Sequence, residues 1–141
     1  MPRVVRAKYA LPAKVFAIAD YDARYAVIAR LGLQHRDITG LATANPSTLL
    51  RLFDVIHAEF DRFVHEIATG ACRELTMLPP ALASAIRNRL RADPDRAREL
   101  ALVAHRGGPA SFAEFWPRLA ATVTWTGGGC QKGWDAHFGY G

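Results

Sequence analysis

The chain has 141 residues, half of them apolar and 22% charged, with a formal net charge of +5; this suits one domain with its own core and excludes disordered, collagen-like or fibrous structure. Its two cysteines, Cys72 and Cys130, stand 58 positions apart without a disulfide framework, so free thiols are expected. Lys8, Pro12 and Lys14 interrupt the early apolar runs, and no window escapes a charge or a proline for the roughly 20 residues of a membrane span, so the expectation is a soluble, cytoplasmic protein.

The first clear element follows Asp20. Tyr21, Tyr25, Ile28 and Leu31 or Leu33 recur near helical spacing, which predicts an amphipathic helix with Asp20 or Asp22 as its cap. Residues 37–44 (DITGLATA) are short, alternating and rich in β-branched side chains, and read as a buried strand. Asn45 is a strong N-cap, and Pro46 fits the first helical position, where its missing N–H costs nothing. Leu49, Leu50, Phe53, Ile56, Phe60, Phe63, Val64 and Ile67 then form one apolar stripe, predicting a single helix of about 22 residues, roughly six turns, closed by Gly70 as C-cap.

Leu78-Pro79-Pro80 starts a further helix through Leu90, and Asp93-Pro94 caps and starts another that ends near Gly107-Gly108. Ser111 caps a short helix through Trp116, in which Phe112, Phe115 and Trp116 read as core anchors. Residues 119–125 (LAATVTW) form the second strand, residues 126–129 a glycine-rich turn, and residues 131–138 a last helical piece. The expected fold class is α/β: a helix-rich segment with two buried strands, about 37–44 and 119–125, paired in parallel across a long crossover and covered by helices. Two strands are few for a self-standing sheet.

The basic excess lies in residues 1–36, at Arg3, Arg6, Lys8, Lys14, Arg24, Arg30 and Arg36, against a net −3 over residues 37–70. These groups are spread out, whereas phosphate-backbone binding gathers basic groups on one surface, so no nucleic-acid partner is expected. His57, Asp61 and His65 share a spacing of four and one helical face, a geometry open to zinc, although a solvated face with helical charge pairs is the plainer reading and no metal is expected. Cys130 would be a nucleophile only beside an activating base, and no Cys-His spacing is diagnostic.

Residues 42–50 (ATANPSTLL) followed by residues 61–70 (DRFVHEIATG) resemble a stretch of the Gretchen Hagen three family, the auxin-responsive acyl-acid amido synthetases and their bacterial relatives. Leu78-Pro79-Pro80, residues 93–100 (DPDRAREL), residues 115–119 (FWPRL) and residues 125–129 (WTGGG) are similar to that family's middle region in the same succession, and the resemblance covers the chain from about Tyr9 onward. It implies an α/β large domain and adenylate-forming chemistry, in which a carboxylic acid attacks ATP to give an acyl-adenylate and an amino acid's amine displaces AMP to form an amide. It also implies ATP and magnesium as cofactors of the full-length enzymes.

The resemblance places the acid among helices and strand ends, on two stretches of this chain. The first is Thr43, Ala44 and Asn45, at the start of a helix whose unpaired amides and macrodipole favour a carboxylate; the alternative is that Asn45 only caps the helix. The second is Trp125, Thr126, Gly127, Gly128 and Gly129, at the carboxyl end of a strand; a tight turn needing positive φ is the equal alternative. The family's Ser/Thr- and Gly-rich phosphate loop, its Tyr-x-x-Ser-Glu type motif and its mobile carboxy-terminal domain do not occur in these 141 residues. A truncated or split amido synthetase is therefore expected, with no catalytic residue of its own, a small carboxylic acid as ligand and a complementary chain carrying the ATP site. The competing readings are a small stand-alone binding module and a relic fragment.

Overall fold

The computed structural model describes residues 11–43, 45–104 and 110–123. In chain order these form a 3₁₀ turn (Ala13–Ala17), α1 (Tyr21–Gln34), β1 (Gly40–Ala42), α2 (Pro46–Ala58), α3 (Phe60–Thr69), a second 3₁₀ turn (Arg73–Met77), α4 (Pro80–Arg87), α5 (Pro94–Ala104), α6 (Phe112–Phe115) and β2 (Ala121–Val123). The predicted piece at 131–138 and the glycine turn at 126–129 lie outside the described residues.

Helix α1 is the centre of the molecule. The Asp20 carboxylate accepts the Ala23 N–H at 2.7 Å and starts it. One side of the helix, with Tyr25, Ala26, Ala29 and Leu33, packs on Leu49, Ile56, Phe63, Ile67, Leu100 and Phe112. The other side, with Ala23, Val27 and Leu31, packs on Val15, Ile18, Cys72 and Ile86. The expected amphipathic stripe is thus replaced by a helix buried nearly all round, and Tyr21 is exposed.

Arg30 makes this possible. Its guanidinium is fully buried and donates to the carbonyl oxygens of Ala71 (2.8 Å) and Glu66 (2.9 Å) and to the Gln34 side chain (3.1 Å). Counted in the sequence only among scattered basic groups, this charge caps carbonyls at the carboxyl end of α3, where a cation also suits the helix dipole.

The predicted six-turn helix is two helices. Its apolar stripe runs on, but Glu59 leaves helical geometry at φ −128° and ψ 30°, and Arg62 and Arg73 hold its carboxylate at the bend. The bend directs α3 against α1 and α5, with Phe63 and Ile67 in the core. Gly70 closes α3 in the left-handed region at φ 81°, as expected of a C-cap glycine.

The two strands pair in parallel, Gly40 opposite Ala121, Leu41 opposite Thr122 and Ala42 opposite Val123. Each starts later than predicted and neither is buried: only Leu41 and Thr122 turn inward, while Gly40, Ala42, Ala121 and Val123 are exposed. A sheet of two strands has helices on one face here, and Val123 is 64% exposed on the other. Phe112, Phe115 and Trp116 are core anchors, as expected.

Candidate functional site

Parallel pairing brings both strand carboxyl ends to one place. At the near end of the sheet Thr39 accepts the N–H groups of Ala120 (2.9 Å) and Ala121 (3.3 Å); at the far end Thr43 donates its N–H to the Val123 carbonyl at 2.9 Å. The chain leaves β1 toward α2 beside the point where it leaves β2. Thr43 and Asn45 are brought together there, with the Thr43 hydroxyl donating to the Asn45 carbonyl at 2.8 Å. Ala44, Trp125, Thr126, Gly127, Gly128 and Gly129 lie outside the described residues.

Asn45 acts as the cap of α2. Its backbone is extended, its side-chain oxygen accepts the Ser47 N–H at 3.0 Å, and buried Pro46 occupies the first turn behind it. Asn45 is exposed, and no acidic residue stands in the first turn to offset the positive end of this 13-residue helix. Capping and anion attraction are compatible at this position, because the cap uses the side chain and the dipole acts through the backbone.

A second cluster gathers around the bend. Arg62 forms ion pairs with Glu59, with Glu66 at 2.9 Å and with Glu74 at 3.1 Å; Arg73 pairs with Glu59 at 3.2 Å and with Glu74 at 3.5 Å. Glu66, Cys72 and Glu74 are buried, with donor atoms within 4.8 Å of one another, the spacing of a possible metal set. Burial, reinforced by the Glu74 and Glu66 carboxylates, pushes the Cys72 thiol up to about 12. Three carboxylates here face three guanidinium groups, Arg30, Arg62 and Arg73, and the Cys72 thiol stays protonated, so the arrangement is a charge-balanced ionic lock joining α1, α3 and the second 3₁₀ turn.

An open cleft of about 600 Å³ adjoins the bend, lined by His57, Phe60, Arg62, Arg73 and Phe115 among others. His57, Asp61 and His65 do not share one helix, because the break at Glu59 separates the first from the other two. His57 is half-buried rather than solvated, 4.0 Å from the Phe53 ring centroid, with Nδ1 2.8 Å from the Phe53 carbonyl oxygen; Asp61 and His65 are exposed.

The sequence reading missed the buried polar residues Arg30, Glu66, Glu74 and Arg96. The signals available were the pairs Glu59/Arg62 and Arg62/Glu66 at spacings of three and four, whose partners Arg73 and Glu74 come from another element.

The model of the GH3 family N-terminal domain matches residues 1–136, nearly the whole chain. No curated protein matches it. Among the described residues, no helix is long and apolar enough to cross a membrane.

Proposed function

The chain belongs to the GH3 family, the Gretchen Hagen three group of acyl-acid amido synthetases, and from that premise we propose that it is the acid-holding part of an enzyme that joins a carboxylic acid to an amino acid at the expense of ATP. The match over residues 1–136 is the observation that carries this reading. In the proposed reaction the carboxylate attacks the α-phosphorus of ATP, pyrophosphate leaves, and the amine of an amino acid then attacks the acyl carbonyl and expels AMP. Acids of the indole acetate or benzoate kind are the proposed substrates.

The acid is proposed to lie at the strand carboxyl ends, its carboxylate toward the first turn of α2 at Thr43, Ala44 and Asn45 and its body toward Trp125, Thr126, Gly127, Gly128 and Gly129. The Thr43 to Val123 hydrogen bond supports this, because it sets the carboxyl ends of the two strands side by side. The cluster of Glu66, Cys72 and Glu74, which has metal-ligand spacing, does not suit magnesium. Glu66 and Glu74 are already paired with Arg62, and a thiol is a poor magnesium ligand. We propose that these 141 residues are inactive without a further segment that carries a phosphate loop.

The test is acid-dependent pyrophosphate exchange into ATP, by the purified chain alone and with a complementary segment carrying the phosphate loop. No exchange alone and exchange on mixing is the expected result; exchange by the chain alone would refute the need for a partner. A second reading, a binding module without activity, is favoured by the uncovered face of the sheet at Val123. It gains if no mixture exchanges pyrophosphate.

A further inference from the structure

Among the described residues, the strands that bring Thr43 beside Val123 pair over three residues each, and one face of their sheet is exposed. So short a pair neither sustains itself nor fixes its own register through a buried face. Something outside the strands must set it.

Arg96, in the first turn of α5 and 2% exposed, is placed to do so. Its Nε donates to the Leu33 carbonyl at 2.9 Å and its Nη2 to the His35 carbonyl at 3.3 Å, both where α1 ends and the chain turns toward β1. The same Nη2 donates to the Phe115 carbonyl at 2.6 Å, where α6 ends and the chain turns toward β2. Nη1 meets Glu99 at 3.3 Å, and the Arg96 backbone N–H is anchored on the Asp93 carboxylate at 3.0 Å. One planar fork thus joins the lead-ins of both strands. Trp116 adds a parallel tie, its Nε1 donating to the Gly32 carbonyl at 3.0 Å.

We infer that Arg96 is a positioning residue: by clamping the end of α1 to the end of α6 it sets the β1/β2 register and so holds Thr43 beside Val123. Its bearing on substrate rests on the proposal that those strand ends hold the acid. The fork matters more than the charge, because an ammonium cannot present donors in a fixed plane to three carbonyls at once.

The experiment is amide hydrogen exchange on the full chain, comparing Thr43 and Ala120, whose N–H groups bridge the strands, with Ala83, which donates to Pro79 at the start of α4. Arg96→Lys keeps the charge and loses the fork; Trp116→Phe loses the second tie with part of a buried ring and serves if the first variant does not fold; Ile86→Ala, in the cluster on the far side of α1, controls for general loss of buried packing. In Arg96→Lys, exchange at Thr43 and Ala120 should rise at least tenfold more than at Ala83, with a smaller change of the same kind in Trp116→Phe and none in Ile86→Ala. An equal rise at all three amides, or no rise at Thr43 and Ala120, would overturn the inference. Exchange is read without any acid present. Failure of the wild-type chain to bind acids would therefore refute the acyl reading and leave the exchange result intact. If acids bind, Arg96→Lys should weaken them about tenfold and Ile86→Ala should leave affinity unchanged.

Discussion

Thr43 donates its N–H to the carbonyl of Val123 at 2.9 Å, across 80 positions of sequence. Helices α2 to α6 lie between the two residues, so the bond closes a crossover that contains most of the described fold. Parallel strands end together, and the next helix starts there with its positive end toward an exposed cap.

Asn45 separates capping from anion attraction. Asn45→Ala should cost about 1 kcal/mol in denaturant unfolding through loss of the bond to Ser47. Asn45→Asp keeps the cap and adds a negative charge, so stability should hold while affinity for a carboxylic acid falls about fivefold, roughly 1 kcal/mol of repulsion. Equal acid affinity in Asn45→Asp and wild type would leave Asn45 a cap and nothing more.

Arg62 holds the ionic lock. Arg62→Met removes the nearest partner of buried Glu66 and Glu74, which keep only the longer pairs to Arg30 and Arg73, and should destabilise the chain by up to about 3–5 kcal/mol, read as a lower denaturant midpoint. A loss below about 1 kcal/mol would mean that the pairs behave as exposed surface ion pairs.

Cys72 supplies a pH dependence. Its folded pKa lies above its unfolded value, so the fold holds the proton more tightly; the stability this contributes is complete below about pH 9 and is lost as pH rises toward about 12. In a Cys130→Ser background the remaining thiol should resist a disulfide reagent at pH 8 until the chain is unfolded. Cys72→Val should flatten the alkaline fall in melting temperature. Rapid labelling of the folded variant would contradict the burial.

Much of the local punctuation was legible in the sequence, because a cap depends on one residue and its neighbours. Asp20, Pro46 and Gly70 sit where they were expected, and parallel pairing follows from the long crossover. The bend at Glu59 was not legible: the apolar spacing continues through it, and Arg73, which helps hold it, is 14 positions away. Nor was the burial of Arg30, since the carbonyls that accept from it lie 36 and 41 residues along the chain. The strands read as buried because alternation reports one covered face and cannot say that the other lacks a cover. Of the candidate site, Thr43 and Asn45 are placed together, and the stretch from Trp125 to Gly129 lies outside the described residues.

Gly70 tests the C-cap. At φ 81° an added methyl would sit in the left-handed region and meet the Ala92 backbone nitrogen at 3.2 Å. Gly70→Ala should therefore cost about 1–2 kcal/mol in thermal or denaturant unfolding. A neutral substitution would show that α3 ends differently in solution.

The most direct measurement is an amide NMR titration of the chain with an aromatic carboxylate such as benzoate, without ATP. Saturable shifts at Thr43, Asn45 and Ala121 to Val123, with the amides of Glu66 to Glu74 unmoved, are the expected result. Shifts confined to the cleft around Phe60 and Arg73, or none at millimolar acid, would contradict an acid site at the strand ends.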